Sequence, residues 1–102
     1  MKSISEWFKK AFEGGYKFPD GSRLLPDGRD GRIYVAPDGR RVSFQCELWD
    51  TSGGVERCIY ASTIKGWMPP YDSESFGEND RQEVIRKTSG FFEKTGTKYV
   101  VQ

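Results

Sequence analysis

The chain contains no histidine. That absence removes Ser-His and Cys-His nucleophile pairs and most zinc sites, because imidazole is the usual base near neutral pH and the commonest zinc ligand. Cysteine is scarce: Cys46 and Cys58 stand alone, without CxxC spacing. They cannot form a disulfide framework, and two reduced, unbridged thiols are expected. There is no surplus of charge either, with 16 Lys and Arg against 15 Asp and Glu. The electrostatic case for nucleic acid or an anionic membrane is therefore missing. Long hydrophobic runs are absent as well. The opening "MKSISEWFKKAF" lacks the continuous apolar segment of a signal peptide, and no stretch approaches bilayer-spanning length. A cytoplasmic location is expected.

Catalytic motifs are missing too. Neither G-x-x-x-x-G-K-[ST] nor G-x-G-x-x-G occurs, so no phosphate-cradling loop is encoded. Carboxylates are plentiful but scattered through turns and helix faces, with no spacing that sets two on one pocket wall. "DGRDGR" (Asp27 to Arg32) lacks the alternating acidic ligands and distal glutamate of a calcium loop. Ser62 and Lys65 resemble a Ser-Lys pair in composition only. No enzyme, cofactor or metal is expected.

What remains is a chain of 102 residues, the size of one small domain, 15% aromatic and 35% hydrophobic. Its core must rest on a few large rings. "SISEWFKKAFEGG" predicts a first helix. Ser3 and Glu6 form a capping box, and Ile4, Trp7, Phe8, Ala11 and Phe12 make an apolar stripe. That stripe is expected against the sheet or in a homodimer interface. Three P-D-G turns follow, at Pro19, Pro26 and Pro37. "GRIYVA" and "RRVSFQCELWD" read as a hairpin about the third, with Val42, Phe44, Cys46 and Leu48 on the buried face. "VERCIYAS" continues the meander, Val55, Ile59 and Ala61 facing the core. Tyr34 and Trp49 are expected on the wet face or its rim. With a turn at Ser52 and Gly53, Cys46 falls opposite Ile59, which sends the two thiols to opposite faces.

A second helix opens with Glu78 and Asp80, acidic residues suited to its N-terminal dipole. Val84, Ile85, Thr88, Phe91 and Phe92 form its stripe. Gly90 is read as allowing close approach to the sheet, Gly96 ends the helix, and "TKYVV" is a last strand. The expected fold is α+β: an antiparallel sheet of about four to five strands, with an N-terminal and a C-terminal helix packed on one face.

The most distinctive stretch is "GWMPPYDSE" (Gly66 to Glu74). Pro69 and Pro70 lack N–H donors and impose a stiff, extended connection. Trp67 is expected in the core. Tyr71, Asp72 and Glu74 are expected at the surface, where a preorganised loop favours binding.

From Ser62 onward, "STIKGWMPPYDSESFGENDRQEVIRKTSGFFEKTGTKYVV" resembles small bacterial immunity proteins of polymorphic toxin systems. The resemblance lies in a strand, a W-x-P-P loop, an acidic helix and a short closing strand. Trp67, Pro69, Pro70, Asp72, Glu78, Asp80, Ile85 and "GTKYVV" match, while Met68 and Tyr71 stand where that pattern has glutamate and histidine. It covers the last two-fifths of the chain. It implies a protein that binds and neutralises a cognate toxin. Tyr71, Asp72, Glu74, Tyr34 and Trp49 are the partner-binding candidates, and Trp67, Pro69 and Pro70 the loop's framework. The alternatives are a nucleic-acid- or ligand-binding module, supported by Arg41 among aromatics, and an accessory protein of a phage or other mobile element.

Overall fold

The computed structural model describes residues 15–51 and 54–102. The predicted first helix lies outside them. Six strands run β1 (Tyr16–Lys17), β2 (Arg23–Pro26), β3 (Gly31–Val35), β4 (Arg41–Thr51), β5 (Gly54–Ile59) and β6 (Lys98–Val101). A 3-10 turn (Ala61–Thr63) and helix α1 (Glu78–Thr95) separate the last two. The strands form one sheet in the order β1-β2-β3-β4-β5-β6.

This corrects the expected fold. The sheet has six strands rather than four or five, and it is mixed, because β6 lies parallel to β5. Among the described residues α1 is the only α-helix. Parallel neighbours need a long crossover, and residues 60–97 supply one containing α1. The two extra strands fall in "YKFPDGSRLLP", where the first P-D-G turn folds β1 against β2, with Tyr16 opposite Leu24.

The third P-D-G closes the β3–β4 hairpin, with Gly39 at φ +94° and its N–H donating to the Ala36 carbonyl. A left-handed φ of this kind is strained for any residue with a Cβ. β4 is long because it serves two neighbours. Its first half, to Gln45, pairs with β3, and its second half, from Cys46, pairs with β5.

The core follows strand parity. Val42, Phe44 and Cys46 on β4 are buried with Ile59 on β5. Helix α1 covers this face with Val84, Thr88, Phe91 and Phe92, Ile85 packing at the edge. Each fully buried aliphatic side chain is worth about 1.5–3 kcal/mol. The Thr88 hydroxyl is satisfied by the Val84 carbonyl at 2.8 Å. Gly96, at φ +72°, ends the helix, and the Thr97 N–H returns to the Phe92 carbonyl.

Two side-chain expectations fail. Tyr34 is 3% exposed and belongs to the core, not to the wet face. It sits opposite Val42, and Ile33 and Val35 take the other face. Apolar residues at both parities of "IYV" hid which face was wet. Gly90 does not permit a close approach to the sheet: a Cβ there would meet nothing within 4 Å among the described residues.

Cys46 lies opposite Ile59 and Glu47 opposite Cys58, as the register required. Both thiols are free and buried, and only Cys46 joins the main core cluster.

Candidate functional site

The proline loop leaves the 3-10 turn at Ile64 and reaches α1 at Glu78. Its entry is tied to the sheet by the Met68 N–H, which donates to the Arg41 carbonyl at 2.8 Å. Its exit is tied back by Arg81 of α1, whose Nε donates to the Ile64 carbonyl at 2.9 Å. Trp67 closes the loop across its base. The ring is 7% exposed, meets Phe76 edge-on at 5.1 Å and donates from Nε1 to the Ser75 carbonyl at 3.0 Å. The Arg40 guanidinium lies 4.2 Å above the indole.

Within this frame the tip is hydrogen-bonded as two successive turns. The Tyr71 N–H donates to the Met68 carbonyl and the Glu74 N–H to the Tyr71 carbonyl, both at 3.0 Å. Pro69, Pro70, Tyr71, Asp72 and Glu74 are all exposed. The next two acids are spent on the helix start: Asp80 accepts the Gly77 N–H at 2.9 Å, and Glu78 pairs with Arg81 and Gln82. The arrangement is a rigid turn that offers an aromatic ring and two carboxylates to solvent.

The remaining partner-binding candidates are elsewhere. Tyr34 is in the core, where burial pushes its hydroxyl above the ordinary tyrosine range. Trp49 lies on β4 and donates from its indole to Glu47 at 3.0 Å. The same carboxylate accepts the Tyr60 hydroxyl at 2.9 Å, which pushes that phenol up to about 12. Trp49 therefore belongs with Glu47 and Tyr60, and not with the loop tip.

Two charged residues were not anticipated from the sequence. Arg32 and Arg57 are buried, 4% and 8% exposed. Both guanidiniums are held by carbonyls: Arg32 by Gly31, and Arg57 by Arg29 and Cys46 at 2.9 and 3.1 Å. Burial lowers both pKa values, and Arg57 lowers that of Arg32 further. Arg57 thereby ties the chain just before β3 to the point where β4 changes neighbours, whereas Arg32 bonds the carbonyl beside it. Nothing in strand alternation distinguishes such an arginine from a solvated one.

Among the described residues no group of three or more acidic or cysteine side chains is arranged to hold a metal ion, and no helix is long and apolar enough to cross a membrane. The fold and loop define a small α+β domain with a preformed, exposed polar turn. The family model of Immunity protein 74 matches residues 27–102, and the chain belongs to that family. The match extends beyond the last two-fifths to include the β3–β4 hairpin and its P-D-G turn. No curated protein and no solved structure matches the chain.

Proposed function

We propose that this protein neutralises a cognate bacterial toxin by binding it, with the tip of the proline loop as contact surface. The observation that carries the reading is the fixed, exposed turn of Tyr71, Asp72 and Glu74 on a chain of the Immunity protein 74 family. Occlusion by contact requires no catalytic group of the inhibitor's own. It requires surface that does not have to be ordered on binding, since freezing loops and side chains subtracts from affinity. Tyr71 supplies a large ring with few rotors, the kind of residue enriched at binding hot spots. Asp72 and Glu74 favour a partner that presents lysine or arginine at the contact, and charge of opposite sign raises the association rate. The encounter takes place in the cytoplasm, where Cys46 and Cys58 stay reduced.

The test is titration of the purified protein with the toxin encoded beside its gene, together with growth protection in cells. The parent should bind and protect. Tyr71→Ala should weaken binding by roughly 30-fold, the value of a hot-spot residue of about 2 kcal/mol. Asp72→Ala should mainly slow association, more so at low salt. Failure of the parent to bind the neighbouring toxin refutes neutralisation by contact. Full binding by both variants moves the contact off the loop.

A further inference from the structure

A second surface lies on the far half of α1. Tyr16 and Phe18 from the first hairpin and Phe91 from α1 line an open groove of about 210 Å³. Arg86, Lys87 and Lys94 line it too, and among the described residues no carboxylate does. Lys87 and Lys94 lie over aromatic rings, Lys87 at 4.8 Å from Phe18 and Lys94 at 5.4 Å from Tyr16. Lys94 also donates to the Tyr16 hydroxyl at 2.7 Å and has no ion-pair partner among the described residues. In the groove sits Gly90, exposed, with open space where a Cβ would stand. Glycine inside a helix is unfavourable, and here nothing in the packing of the described residues demands it. Its effect is to leave the groove clear between the cations.

We infer that this groove docks an acidic segment of the toxin, an apolar side chain entering over Gly90 with a carboxylate meeting Lys94, the lining cation that has no ion pair among the described residues. The inference rests on the immunity reading and adds a second contact to it. Gly90 is twelve residues beyond Glu78, the start of α1, a separation of about 18 Å at the helical rise. The two contacts therefore grip different parts of the partner, one acidic and one basic. A phosphate backbone fits less well. Asp20 and Glu83 pair with Lys87 and Arg86 at the groove's margin, and the chain as a whole is nearly neutral.

The test uses the full chain with Gly90→Leu, which fills the groove, and Lys94→Gln, which removes the cation that has no ion pair among the described residues. Both are titrated against the neighbouring toxin and against a twenty-residue oligothymidylate. Gly90→Leu should lose at least tenfold in toxin affinity while unfolding at or above the parent's temperature. The loss in Lys94→Gln should be largest at low salt and fade near 0.5 M, where screening is strong. Toxin binding unchanged in both variants overturns the groove and leaves the immunity reading standing. A parent that does not bind the toxin overturns both. A lower unfolding temperature for Gly90→Leu means that the groove is filled by this chain or a second copy of it. Oligothymidylate binding lost in Lys94→Gln assigns the groove to nucleic acid instead.

Discussion

Trp67 offers the sharpest test of how the loop is held. Truncation to alanine removes a ring that is 7% exposed and packed against Phe76, together with its hydrogen bond to Ser75. It also strips the Arg40 guanidinium of the face it covers. Large-to-small changes of this kind at tryptophan cost about 3–5 kcal/mol. The lost indole hydrogen bond, about 1 kcal/mol net, lies within that range. A domain of this length has about 5–15 kcal/mol in total, so the loss is a large fraction of the whole. Trp67→Phe is the companion variant. It keeps most of the apolar contact, leaves the Ser75 carbonyl without its donor and should lose about 1–2 kcal/mol. The assay is urea unfolding followed by far-UV circular dichroism, which does not depend on the deleted fluorophore. A loss below about 1 kcal/mol for the alanine variant would refute the argument, because it would mean that Trp67 neither fills the core nor fastens the loop.

Three further expectations follow from particular positions. Gly90→Ala should stabilise by about 1 kcal/mol, because its Cβ meets nothing within 4 Å among the described residues, whereas Gly96→Ala should destabilise by about 1–2 kcal/mol, because Gly96 is held at φ +72°; thermal unfolding of the pair should move in opposite directions. Lys87 and the Ser22 hydroxyl and N–H hold the Asp20 carboxyl well below its usual range. A depressed carboxyl stabilises the fold above its unfolded pKa of 3.8 and loses that contribution as pH falls toward the folded value; Asp20→Asn should therefore flatten the acid limb of the stability profile below about pH 4 and leave its neutral-to-alkaline slope unchanged. Burial pushes the Cys46 thiol above its ordinary range, and both cysteines are fully buried, so a thiol-exchange reagent should react with them only as the protein unfolds.

The periodicity of "EVIRKTSGFF" was enough to specify α1 and its buried stripe, because a helix's face depends on spacing alone. The β4–β5 register was equally legible: the alternation of Val42, Phe44 and Cys46 sets the buried parity of β4, and a turn at fixed distance puts Cys46 opposite Ile59. Trp67 as core and Tyr71, Asp72 and Glu74 as exposed also followed from local chemistry. A double proline ends a strand, and the polar residues after it have no ladder to join. The direction of β6 was not local. Whether a last strand runs parallel or antiparallel depends on where the crossover sets it down. Tyr34 was undecided because Ile33, Tyr34 and Val35 are apolar at both parities, and only the pairing with Val42 chose a face. The buried guanidiniums of Arg32 and Arg57 depend on carbonyls supplied by Arg29, Gly31 and Cys46, two of them reached across the fold. The α1 groove joins Tyr16 and Phe18 to Phe91, more than seventy residues apart in the chain. Spacing along the chain encodes which side of an element is apolar, whereas contacts between elements exist only once the sheet has curled and the helix has been laid across it.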